Sequence, residues 1–192
     1  MCTDCPAELA RDLDGAFATL VAHHQDLVFG VARRMTKNPQ DAEDLAQEAF
    51  LRAYRALGGY EKSRIRELRL RGWLARITLN LGRNRARDTG PATAELDAAI
   101  EPTDPAHDRP ESVAERREAA RYWHHLLSEL PPRFRRAVEL RHVEGLSYGE
   151  LAEALDRPVG TVKSDVHRGT RLLRAAHERD RERDTQLMEV AR

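Results

Sequence analysis

The sequence predicts an all-α protein, and three observations predict it. Ala, Leu, Arg and Glu dominate the 192 residues, and all four are good helix formers. Strand signals are missing, because no long β-branched alternation and no Asn-Gly hairpin turn occurs. Apolar residues recur instead at i, i+3, i+4 and i+7, which places them on one face of a helix.

The first helix runs from Leu13 to Met35, with Phe17, Leu20, Val21, His24, Leu27, Val28, Val31 and Met35 on one mostly apolar face. Thr36-Lys-Asn-Pro39 breaks it, and Asn38 with Pro39 supplies an N-cap and first-turn pair for the next helix. That helix, Pro39 to Leu57, buries Ala42, Leu45, Ala46, Ala49, Phe50 and Ala53 and ends at Gly58-Gly59. A third helix, Leu68 to Asp88, turns Leu70, Trp73, Leu74, Ile77 and Leu81 inward. Three such helices close a small core around Phe17, Phe50 and Trp73.

Periodicity stops from Thr89 to Pro110, where Pro91, Pro102, Pro105 and Pro110 alternate with acids. This is the pattern of an extended linker, and it divides the chain into domains at 13–88 and 111–177, with a charged tail at 178–192 that frays past Ala176. In the second domain Val113, Ala120, Trp123, Leu127 and Leu130 mark a helix stopped by Pro131-Pro132. Phe134, Ala137, Val138 and Leu140 mark the next, ended at Gly145. Ser147 and Glu150 form a capping-box pair that opens a short helix with Leu151, Ala152 and Leu155 inward. Asp156-Arg-Pro-Val-Gly160 makes a turn, and Val162, Val166, Leu172 and Leu173 bury one side of the final helix.

Net charge is zero, so no global field attracts nucleic acid. The distribution says more. Residues 91–120 hold 3 Lys/Arg against 8 Asp/Glu, whereas Lys62 to Arg87 holds nine cations against Glu67 alone. A local basic stripe with Trp73 and Asn80 interleaved suits backbone phosphates and unpaired bases. It also suits a plain solvated surface. The segment Leu146 to Leu173 reads as a helix-turn-helix, whose second helix enters a DNA major groove. Lys163, Ser164, Asp165, His167, Arg168 and Arg171 lie on its exposed side.

Cys2 and Cys5 are too few for a disulfide framework, and are read as an unstructured reduced tail rather than half a zinc site completed by His23 or His24. His124-His125 lacks metalloprotease spacing, and no phosphate-binding Gly-Lys-Ser/Thr loop or Gly-x-Ser-x-Gly elbow occurs. No metal, cofactor or catalytic set is expected. No apolar run approaches membrane-spanning length and no signal peptide is seen, so a cytoplasmic protein is expected.

Asp41-Ala-Glu-Asp-Leu-Ala-Gln-Glu-Ala-Phe50, Gly72-Trp-Leu-Ala-Arg-Ile-Thr-Leu-Asn80, Leu130-Pro-Pro, Leu146-Ser-Tyr and Gly160-Thr-Val-Lys-Ser164 together carry a resemblance. In this order they resemble bacterial sigma factors of the extracytoplasmic-function group. The resemblance implies a non-enzymatic subunit that binds core RNA polymerase and directs it to promoters. Asp41, Asp44, Gln47 and Glu48 would dock on the polymerase clamp. Arg69, Arg71, Trp73, Arg76, Asn80, Arg83, Asn84 and Arg87 would engage and open the minus-ten element. Thr161, Lys163, Ser164, Asp165, His167, Arg168 and Arg171 would read or anchor the minus-thirty-five element. The acidic linker would lie in the RNA path, and an anti-sigma factor is a common partner in the family.

Two residues depart from the family pattern. Asp165 stands where a basic residue is usual, and a carboxylate there accepts from a cytosine amino group, which predicts a changed minus-thirty-five preference. Asn84 stands where Asp is usual. Gly58 to Arg71 is also longer than the family's base-recognition loop. Two other classes remain open at this point: a stand-alone helix-turn-helix regulator, which would not need the N-terminal helices, and a small helical metalloenzyme.

Overall fold

The computed structural model describes residues 5–88 and 110–190, and every regular element among them is a helix. The expected linker at 89–109 lies outside the described residues. The chain groups into two compact units, Met1–Ala98 with Leu140–Val159, and Ala99–Glu139 with Gly160–Arg192.

The first unit is built on α2 (Leu13–Arg33), α3 (Pro39–Gly58) and α5 (Leu70–Asp88). The capping residues set the helix starts. Asp12 accepts the Gly15 N–H at 3.1 Å, and Asn38 accepts the Asp41 N–H at 2.8 Å. Leu20, Val28, Leu45, Ala49, Ala53, Trp73 and Leu74 fill the core, with Phe17 and Phe50 packed at its margin.

Two short helices were not expected. α1 (Cys5–Arg11) replaces the unstructured tail from Cys5 onward, because Cys5, Leu9 and Ala10 are each only 2% exposed and belong to the same core. α4 (Lys62–Glu67) lies in the long Gly58–Arg71 segment and buries Ile65. Leu68 is extended, with ψ 131°, so the helix expected from Leu68 starts at Leu70, and α4 precedes it as a separate helix.

Leu140–Val159, which contains α8 (Tyr148–Leu155), also packs into this unit. Arg34 pairs with Glu144 at 2.8 Å, and Arg71 donates to the Glu144 carbonyl at 2.6 Å and lies 3.6 Å from the Glu150 carboxylate. A Cβ on Gly72 would stand 2.6 Å from the Glu150 carbonyl oxygen. Only glycine lets α5 and α8 approach so closely.

The second unit holds α6 (Pro110–Ser128), the start of α7 (Pro132–His142) and α9 (Val159–Val190). Leu127, Leu130 and Val138 are buried in it, with Phe134 and Leu173 against them. Trp123 and Leu172, expected inward, are 45% and 39% exposed. Trp123 instead sits in a ring cluster with Tyr122 and His177. The tail expected to fray past Ala176 continues α9 to Val190. Its Glu and Arg residues favour helix, and Asp180 pairs with Arg183 one turn on.

Candidate nucleic-acid interface

Ser147 caps α8 as its sequence requires. Its hydroxyl accepts the Glu150 N–H at 3.3 Å, while the Glu150 carboxylate accepts the Ser147 N–H at 2.7 Å. Asp156 ends the helix in the left-handed conformation, φ 52°, with its N–H on the Ala152 and Glu153 carbonyls. The connection to α9 is therefore Asp156-Arg157-Pro158. Val159 and Gly160, expected in the turn, already belong to α9.

On α9, Val162 and Val166 are buried, while Lys163, Ser164, His167, Arg168 and Arg171 are exposed and Thr161 is half-buried. Ser164 Oγ donates back to the Gly160 carbonyl at 3.0 Å. Asp165 departs from expectation. It is 1% exposed, and Arg133 grips its carboxylate at 2.7 and 2.8 Å. A carboxylate so held cannot face a base edge, so the cytosine contact expected of Asp165 is withdrawn.

The cations of α5 split into two groups. Arg83, Arg85 and Arg87 are exposed toward its C-terminal end, and so is the neutral Asn80. Asn84, half-buried, accepts from Arg87, which answers what stands there in place of a carboxylate. Arg71 and Arg76, with Arg69 just ahead of the helix, lie near α8 acids. Arg71 is close to Glu150, and burial raises the Glu153 pKa while Arg76 and Arg69 oppose the rise. Trp73, expected to stack on bases, is 2% exposed in the core and 6.1 Å from the Tyr60 ring. Its side chain is removed from the interface.

Along α3, Asp41, Asp44 and Gln47 are exposed, and Glu48 pairs with Arg52 at 2.8 Å, which lowers its pKa. Leu51 continues the stripe and is 51% exposed. The sequence reading missed it, although it stands at i+7 from Asp44 and i+3 from Glu48 on a helix whose apolar face was already complete.

His24 is buried with both ring nitrogens lacking a hydrogen-bond partner among the described residues. Burial first, then Arg71 and His23, lower its pKa to about 4, against an opposing pull from Glu150. Cys5 Sγ lies 3.4 Å from His23 Nδ1. Among the described residues no group of three His, Cys, Asp or Glu side chains is placed to hold a metal, and no helix is long and apolar enough to cross a membrane.

Residues 20–91 match the family model Sigma-70 region 2, and residues 120–173 match Sigma-70, region 4. The ECF RNA polymerase sigma factor SigE of Mycolicibacterium smegmatis is 39% identical over 158 residues, which span 81% of this chain and 59% of that protein. The RNA polymerase sigma-H factor of Pseudomonas aeruginosa is 36% identical, covering 80% and 81%. The sigma factor SigW of Bacillus subtilis is 33% identical, covering 83% and 87%. Among solved structures, CnrH in complex with the cytosolic domain of CnrY gives a TM-score of 0.65 at 26% identity, over 93% of this chain and 97% of that one. The sigma factor RpoE in complex with the anti-sigma factor NepR from Bartonella quintana shares the fold, with a TM-score of 0.60 at 21% identity over 84% and 96%. The region 2 match sets aside a stand-alone helix-turn-helix regulator. The chain belongs to the extracytoplasmic-function group of the sigma-70 family, whose members direct bacterial RNA polymerase to promoters.

Proposed function

We propose that this sigma factor docks on core RNA polymerase through α3 and reads its promoter with α5 and α9. The docking face is the stripe Asp41, Asp44, Gln47, Glu48 and Leu51, four polar groups around one exposed apolar side chain. Such a patch has the anatomy of a contact, with an apolar centre and a polar rim. Asn80, Arg83, Asn84 and Arg87 engage the minus-ten element. Arg69, Arg71 and Arg76 join them once released from the α8 carboxylates. Lys163, Ser164, His167 and Arg168 meet the minus-thirty-five bases at the start of α9, while Thr161 and Arg171 flank them toward the phosphates.

The observation that carries this reading is the start of α9, where a capped helix and a three-residue turn precede an exposed face of cations and small polar groups. α5 and α9, which belong to different compact units, then act as separate readers. The protein performs no chemistry of its own and works in the cytoplasm beside its polymerase. An anti-sigma factor is a further partner.

Adding the protein to core polymerase and mapping transcription starts genome-wide tests the reading. New start sites sharing two spaced elements are expected. A chain that neither binds core nor shifts any start would end the proposal.

A further inference from the structure

Asp165 lies in the second turn of α9 with its side chain 2% exposed, yet it is ionisable. The guanidinium of Arg133 grips it. Arg133 Nε donates to Oδ2 at 2.8 Å and Nη2 stands 2.7 Å from Oδ1, a two-pronged fork. Arg133 belongs to the first turn of α7, and its side chain remains 51% exposed. The fork uses the Nε–Nη2 edge and leaves Nη1 outside it, on a side chain that stays half exposed.

Asp165, and with it the guanidinium it holds, stands beside the face of α9 proposed to meet DNA. At 100° per residue, position 165 lies about 60° around the helix from position 168 and about 40° from position 161. Arg168 is exposed and Thr161 half-buried. The placement is also stiff, because a Cβ on Gly169 would stand 2.5 Å from Val138 Cγ2 and 3.1 Å from the Phe134 carbonyl. Phe134 and Val138 of α7 therefore pack closely on α9 at Gly169.

We propose that Arg133 contacts a DNA backbone phosphate at the edge of the minus-thirty-five element, and that Asp165 is its positioning residue. This rests on α9 being the upstream reader. The carboxylate that interrupts the basic pattern of the recognition helix thus serves it, by presenting a cation from a neighbouring helix. The Asp165 charge is turned inward, and the DNA meets a guanidinium whose orientation is fixed before binding. A pre-oriented fork loses less side-chain entropy on contact than a free arginine. The contact goes to the backbone, so it strengthens binding to every upstream sequence alike.

The test uses holoenzyme reconstituted from the full chain and core polymerase, on a promoter taken from its strongest mapped start. Affinity is measured across a salt series, and base ranking on a library randomised at the minus-thirty-five element. Arg133→Ala is expected to weaken all upstream sequences by one common factor and to flatten the log–log salt slope by about 0.9, one phosphate contact. Asp165→Asn is expected to keep the base ranking, and the Arg133→Ala loss should shrink in that background because the two residues act as a pair.

Unchanged affinity and slope in Arg133→Ala overturn the phosphate contact. An altered base ranking in Asp165→Asn overturns the positioning role, and so do losses that simply add. Arg133→Lys, which keeps the charge without the fork, carries the test if the alanine variant fails to fold. It should hold the slope and lose affinity, and full affinity would count against the proposal. Failure of the unaltered holoenzyme to bind any promoter would instead defeat the upstream-reader reading itself.

Discussion

Neither ring nitrogen of His24 has a hydrogen-bond partner among the described residues, and its pKa is lowered to about 4 from an ordinary 6.5. An unfolded chain takes up this proton near pH 6.5, whereas the folded chain resists until about pH 4. The stability that neutral His24 preserves is therefore complete above pH 6.5, falls between 6.5 and about 4, and is level below. The expected loss is about 2 kcal/mol, less than the whole shift because solvent screens part of the charge. Urea midpoints measured along that range check it, and a His24→Leu chain should show a flatter profile. Trp73 makes a second residue-scale case. Trp73→Ala should cost about 3–5 kcal/mol in denaturant unfolding, as an emptied core site does. Asn80→Ala, on the exposed side of the same helix, should change stability by less than about 0.5 kcal/mol yet slow promoter opening. Equal damage to both properties in both variants would contradict this division. The sequence shows that Trp73 has a π-face; it does not show that Tyr60 and the core already surround it.

At the scale of helices, α2, α3 and α5 were legible because each is long and periodic, and α3 is also bounded by Asn38-Pro39 and Gly58-Gly59. α1 and α4 were not. With 7 and 6 residues they complete too few turns for a period to register, and what makes them helical is burial of Cys5, Leu9 and Ile65 against distant residues. The partners of Asp165 and Arg71 were hidden for a related reason, since Arg133 and Glu144 stand 32 and 73 positions away along the chain. Exposed residues on α3 were read from charge, which overlooked Leu51. Leu51→Ala should lower core-polymerase affinity about tenfold, or about 1.4 kcal/mol, with an unchanged melting temperature. A competition assay against the unaltered chain would show it, and undiminished affinity would remove Leu51 from the contact. Gly72→Ala should cost about 1–3 kcal/mol by forcing α5 and α8 apart, which calorimetry of the full chain would detect as a lowered melting temperature.

For the whole molecule, zero net charge and a strongly basic helix looked like opposing facts in the sequence. The structure reconciles part of them within the first unit, where Glu144, Glu150 and Glu153 stand among Arg34, Arg69, Arg71 and Arg76. The remaining cations of α5, from Arg83 to Arg87, lie toward its far end and are exposed. The prolines, the charge swing near residues 91–120 and the motif order set the expected domain bounds. Which segments pack together was not legible, since the membership of Leu140–Val159 in the first unit depends on a glycine and two arginines that carry no long-range signal in the sequence.

The acid–base matching across α5 and α8 bears on where an idle copy spends its time. A bacterial chromosome offers about a million or more competing sites to any cationic surface. Arginines already facing carboxylates have less to gain from random duplex, which predicts weaker non-specific binding by the polymerase-free chain. Glu150→Gln with Glu153→Gln should raise the affinity of the polymerase-free chain for random-sequence duplex at low salt, and steepen its salt dependence. Titration of the two chains with a labelled random duplex would decide it, and identical curves would mean that the matched charges do not hold this sigma factor off the chromosome.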